Sequence, residues 1–149
     1  MNKQLQNNWS IYFHDYMDSN WNRESYEKLH TFNDIVSFWT IYNIIKEKLI
    51  MGMFFFMKEN MFPKWDNSDN VKVNFISIKI LKTNTLAFIE PMLAYMLTEH
   101  LYPHDPSIIQ GLSISPKKNF CICKIWVHGD IDTTMLNLPE GYYGELLHK

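Results

Sequence analysis

The sequence predicts an α+β domain in which antiparallel strands form one sheet and two amphipathic helices cover a single face of it. Three features point there: short segments that alternate apolar and polar residues, two longer segments with apolar residues at steps of three and four, and short connections rich in Asn, Asp, Gly and Pro. A chain of 149 residues, 46% hydrophobic and 20% charged, can bury a full core without metals or disulfides. No repeat, linker or charge block divides it, so one domain over residues 1–149 is expected. With both helices on one face, the opposite face of the sheet is left for function.

Residues 1–8 are polar and are expected to form a flexible N-terminal tail. Residues 9–13 place Trp9, Ile11 and Phe13 on one side and Ser10, Tyr12 and His14 on the other, the pattern of a half-buried strand. Turn-forming Asp, Ser and Asn over residues 15–22 put Trp21 on a loop. A short strand over 26–32 precedes Asp34, an N-cap for a helix to about residue 48 that carries Ile35, Phe38, Trp39, Tyr42 and Ile45 on one stripe. The aromatic run 53–57, bounded by Gly52 and by Lys58, Glu59 and Asn60, reads as a buried strand, and the loop 61–70 then holds Trp65. Over 71–81 the alternation runs Val71, Val73, Phe75 and then Ile76, Ile78, Ile80, a phase slip near Asn74 that predicts a bulge. A second helix starts at Asn84 or Thr85 and runs through Phe88, Met92, Tyr95 and Met96 to about His100, with Pro91 expected to kink it. Residues 108–115 and 120–127 form a strand pair joined by 116–119, and one last short strand fits at 142–147.

A net charge of -2 offers no bulk positive field, so any nucleic-acid binding must be local and built from a pocket. The longest apolar run, 49–57, contains Gly52 and is about half the ~20 residues of a bilayer span. No membrane contact is expected, and the first eight residues lack the apolar stretch of a secretory signal. Cys121 and Cys123 are read as small strand residues on opposite faces, unable to pair with each other, which fits a reducing cytoplasmic address. The six His show no metal-ligand spacing, and neither a nucleophile triad nor a paired-carboxylate cleft is recognisable. Neither an enzyme nor a cofactor is expected.

Aromatic residues make up 15% of the chain, including 5 Trp, more than a small core needs, so a surface that stacks on something is expected. Four features sit where a sheet can gather them: Trp21, Trp65 with Asp66, Lys117 with Lys118, and Trp126 at a strand end. Each has a plain alternative. A loop Trp serves as a packing lid, a Lys pair as a solvated hairpin tip, and a Trp at helical spacing, such as Trp39, as core.

The ordered set resembles the eukaryotic translation initiation factor 4E family, which binds the 7-methylguanosine cap of messenger RNA. NNWSIYFH (7–14) resembles the first strand of that family, and SNW (19–21) the loop bearing its first cap-stacking Trp. FNDIVSFWTIYNII (32–45) resembles its first helix, and MFPKWD (61–66) the loop of its second stacking Trp. FIEPMLAYML (88–97) resembles its second helix, and KKNFCICKIWV (117–127) the basic loop and the strand ending in its third cap-contacting Trp.

The resemblance implies a curved antiparallel sheet with the helices on its convex face. Trp21 and Trp65 would sandwich the base, Asp66 would read the guanine edge, and Trp126 would contact the methyl group. Lys117, Lys118 and Lys124 would bind phosphate. On the helical face, Ile35, Trp39, Glu90 and Leu93 would receive a helical peptide from an initiation factor 4G-like scaffold or a repressor. The chain departs from the family pattern in several places. Asp66 replaces the usual Glu, and Ile122 stands where a basic residue is usual, with Lys124 as its substitute. Val73, Asn74 and Phe75 replace a Gly-Gly-Arg-Trp stretch, and 130–136 leaves no room for the third helix, which is expected to be missing. A monomer that binds capped RNA follows. The rival reading is a protein-interaction module or translational repressor on the same fold, with a weakened cap slot.

Overall fold

Alternation along the chain becomes a sheet with two unlike faces. The structure, a computed structural model, describes residues 3–15, 17–59, 61 and 73–148. Its strands are β1 (Gln4–His14), β2 (Glu27–Asp34), β3 (Met53–Lys58), β4 (Val73–Leu81), β5 (Ile109–Pro116), β6 (Phe120–His128) and β7 (Tyr142–His148). They pair antiparallel in the order β2-β1-β3-β5-β6-β4-β7. The helices are α1 (Ile35–Ile45), directly after β2, and α2 (Thr85–Leu97), after β4.

One face of the sheet meets the helices. Trp9 and Ile11 of β1, Phe54 and Phe56 of β3, and Ile76, Ile78 and Ile80 of β4 pack there with Phe38 and Tyr42 of α1 and Phe88, Met92 and Leu93 of α2. The face of β1 that carries Ser10, Tyr12 and His14 is the other one, where Tyr12, Phe55, Met57, Met61 and Trp126 form a second, smaller cluster. Gly111 of β5 is required by closeness: a Cβ there would sit 2.7 Å from the Phe56 carbonyl oxygen.

Local expectations are met at several points. Asp34 caps α1, its carboxylate accepting from the Ser37 N–H at 3.0 Å and from the Ser37 hydroxyl at 2.7 Å. Between β6 and β7 there is only a 3-10 turn, Thr133–Met135, and no third helix.

Four expectations are corrected. Residues 4–8 are not a free tail: they are the first half of β1, with Gln4 opposite Asp34 and the Lys3 carbonyl accepting from the Ile35 N–H at 3.0 Å. There is no bulge at Asn74, because β4 pairs with β6 in unbroken register from Val73 to Leu81, and Phe75 simply faces the side away from the helices. The second helix ends at Leu97, where Glu99 takes a left-handed backbone (φ 64) and the chain turns back so that the His100 N–H reaches the Tyr95 carbonyl at 2.7 Å. Cys121 and Cys123 share a face, as residues two apart on a strand must; both are buried in the helix-side core as free thiols. Burial pushes the Cys123 thiol up, reinforced by Cys121, which keeps it in the unreactive protonated form.

Candidate functional site

The loop after β1 is stiffened by its own sequence. Asp15 accepts from the Met17 N–H at 3.0 Å, Asp18 from the Asn20 N–H at 2.9 Å and Asn20 from the Asn22 N–H at 2.9 Å, three side-chain turns in succession. Trp21 therefore leaves a defined backbone. Its indole lies flat on the His14 imidazole, with centroids 3.7 Å apart and planes 2° from parallel, and Tyr26 meets it edge-on at 6.1 Å. His14 is fully buried while Trp21 remains 41% exposed, so the indole is backed on one face and open elsewhere.

Trp21 lines a cleft of about 540 Å³ together with Ile50, Met53, Lys82, Ser115, Pro116, Lys117 and Lys118. The two adjacent lysines come from the β5–β6 turn, which closes through the Lys117 N–H to the Phe120 carbonyl at 2.8 Å. Lys82, from the connection between β4 and α2, donates its ammonium to the Lys117 carbonyl at 2.5 Å and so ties that turn to the end of β4. Three ammonium groups beside an open aromatic face suit a flat ligand that carries anionic oxygens.

Trp126 is not in this cleft. It faces the same side of the sheet but is only 4% exposed: Phe75 meets it edge-on at 4.7 Å, Phe55 lies 6.2 Å away, and its indole N–H donates to the Ser113 hydroxyl at 3.0 Å. Among the described residues it forms floor rather than wall. Lys124 lies over the Phe75 ring, 5.2 Å from its centroid, and does not line the cleft. Ile122 is opposite Lys79 of β4, so cations stand directly across from it and two residues further along β6. Trp65 and Asp66 fall outside the described residues.

On the helical side, Ile35 and Trp39 are partly buried, one turn apart on α1, and Val36 is exposed next to Ile35. Trp39 meets the Tyr42 ring edge-on at 5.3 Å, and the Tyr42 hydroxyl donates to the Glu90 carboxylate at 3.0 Å. Trp39, Tyr42 and Glu90 are thus contiguous across the two helices, and burial together with that carboxylate pushes the Tyr42 hydroxyl pKa far up. Leu93 does not join them. It is 0% exposed, on the inner stripe of α2 with Ile89, Met92 and Met96, so its expected place on a docking surface is corrected to the core.

Three residues of this arrangement were not singled out in the sequence: His14, Lys82 and Lys79. The alternation in β1 marks the side on which His14 lies, but its ring partner on the following loop has no local signature. Among the described residues no group of His, Cys, Asp and Glu could hold a metal ion, and no helix is long and apolar enough to cross a membrane.

A family model described as eukaryotic initiation factor 4E matches residues 4–141. Among solved structures, Ascaris suum eIF4E-3 in complex with an m2,2,7G cap is similar with a TM-score of 0.75 at 17% identity, over 91% of this chain and 78% of that one. Schistosome eIF4E complexed with m7GpppG and 4E-BP gives 0.76 at 19% identity, over 91% and 77%. C. elegans eIF4E-3 with the 4E-binding protein Mextli and a cap analogue gives 0.75 at 17%, over 86% and 75%. At these identities the likeness shows a shared fold, a curved antiparallel sheet with helices on its convex face.

Proposed function

Because the chain belongs to the eukaryotic initiation factor 4E family, we propose that it holds the 7-methylguanosine cap of messenger RNA in the cleft lined by Trp21, Lys117 and Lys118. The observation that supports this most is the cleft itself, where a backed, partly exposed indole and three ammonium groups share one cavity. Methylation at N7 makes guanine a flat cation. Stacking on an indole contributes ~1 to 3 kcal/mol, and the charge adds up to ~2 kcal/mol of cation-π attraction where water is excluded.

Trp65 supplies the second face of the sandwich, and Asp66 accepts from guanine N1–H and the exocyclic amine, a pair of donors that adenine lacks. Lys117 and Lys118 meet the triphosphate, joined by Lys82. Lys124 and Lys79 flank Ile122 and restore positive charge around that apolar position. After rigid-body and ordering costs, micromolar affinity or tighter, about -8 kcal/mol or below, is expected. The protein holds the cap without altering it; members of the family are cap-binding factors rather than enzymes.

The helical face docks a second partner, a helical peptide of an initiation factor 4G-like scaffold or a repressor, on Ile35, Trp39 and Glu90. Trp39 provides the partly exposed aromatic anchor, and Tyr42 holds the Glu90 carboxylate in place. The schistosome and C. elegans structures are complexes with 4E-binding proteins, which accords with this second site.

Retention on immobilised 7-methyl-GTP tests the cap reading. Binding at moderate salt, released by free 7-methyl-GTP and not by GTP, is expected. No retention at moderate salt would leave the rival, an interaction module or repressor that keeps the Trp39 face and has a weakened cap slot.

A further inference from the structure

We propose that His14 is a positioning residue for Trp21: a neutral imidazole that pins the indole from behind and so presents its opposite face to a cationic purine. The assignment rests on the cap-binding reading and adds to it a residue from β1. The stack is close and flat, with centroids 3.7 Å apart and planes 2° from parallel, and the His14 side chain is fully buried. Its Nε2 lies 2.8 Å from the Asn20 carbonyl oxygen. A carbonyl can only accept, so Nε2 carries the proton and the ring orientation is locked to the backbone of the residue before Trp21. Nδ1 is buried with no partner among the described residues, and a second proton there would be a buried donor without an acceptor. The ring is therefore neutral.

Neutrality matters because of what the front face is to bind. An indole attracts a cation through the negative charge on its faces, and a positive ring behind it would oppose a positive base in front. A neutral aromatic backing instead fixes the plate, removing indole rotation that would otherwise be lost on binding. Tyr26 completes the seat from the side, 4.9 Å from His14 and 6.1 Å from Trp21.

The test compares two substitutions in the full chain. His14→Phe keeps the ring and loses the hydrogen bond; His14→Gln keeps a donor and loses the ring. Titration with 7-methyl-GTP and GTP, corrected for the folded fraction, is expected to leave His14→Phe within about twofold of the parent while His14→Gln loses about 3- to 10-fold, the worth of one aromatic pair. Should His14→Gln fail to fold, NMR of the parent decides: the His14 ring protons should show the upfield ring-current shift of the indole before and after 7-methyl-GTP is added, and lose it in Trp21→Ala. Equal losses in both variants, a reversed order, or a shift that vanishes on binding overturns the role of His14 while cap binding stands. A parent that does not bind 7-methyl-GTP overturns the cap reading, and the role of His14 with it.

Discussion

At position 21 the side chain is supported on one face and open on the other, so its removal should act on the ligand and not on the fold. Trp21→Ala is expected to cost ~1 to 3 kcal/mol of cap affinity by calorimetry with an unchanged far-UV spectrum, and Trp65→Ala the same; global unfolding of both variants would make them core residues. Leu93 is the opposite case. Being fully buried on α2, Leu93→Ala is expected to lower unfolding free energy by ~2 to 5 kcal/mol in urea, and a stable variant that merely binds peptide less well would return Leu93 to the surface. The inner stripe of α2 is written in the spacing of Phe88, Ile89, Met92, Leu93 and Met96, so this burial was legible. The depth of Trp126 was not. Alternation assigns its side of the sheet, but Phe55 and Phe75, which enclose it, arrive from strands distant in sequence.

Elements were easier to read than their edges. Every strand and helix expected from periodicity exists, because alternating and three-four patterns each suit one backbone geometry. The misreadings lie where the pattern fades. Gln4, Gln6, Asn7 and Asn8 carry no apolar period, yet they lie in β1: Gln4 stands opposite Asp34 of β2, the neighbouring Lys3 carbonyl accepts from the Ile35 N–H at the start of α1, and the Asn8 carbonyl accepts from the Glu59 N–H just after β3. Phe75 simulated a phase slip in β4, since an aromatic cluster on the second face breaks the rule that only one face is apolar. The start of α1 was plain from Asp34, whose carboxylate satisfies two donors of Ser37. Asp34→Ala is expected to cost ~0.5 to 2 kcal/mol, read as a lower urea midpoint at unchanged slope; an unshifted midpoint would show that α1 does not depend on this cap.

For the molecule as a whole, the sheet separates two surfaces. The cleft with Trp21 and the lysines lies away from the helices, while Trp39 and Glu90 lie on the helices themselves. Trp39→Ala is therefore expected to weaken a helical 4E-binding peptide at least several-fold in fluorescence polarisation, with cap affinity unchanged; an equal loss of both would make Trp39 a structural residue. Charge acts locally as well. At a net charge of -2 the chain has no general attraction for RNA, so salt dependence must come from the few lysines at the cleft. Affinity for 7-methyl-GTP should fall between about 50 and about 200 mM salt, and fall less in a Lys117→Ala, Lys118→Ala double variant; an unaltered salt slope would remove those lysines from the phosphate site. The order of the strands, which brings the first loop beside the β5–β6 turn, has no local signature in the sequence.

The most direct measurement is a crystal structure of the protein with 7-methyl-GTP. The expected density is a purine lying flat on the face of Trp21 opposite His14, its phosphates directed toward Lys117 and Lys118. A nucleotide seated elsewhere, or an empty cleft at saturating ligand with Trp21 folded inward, would contradict it.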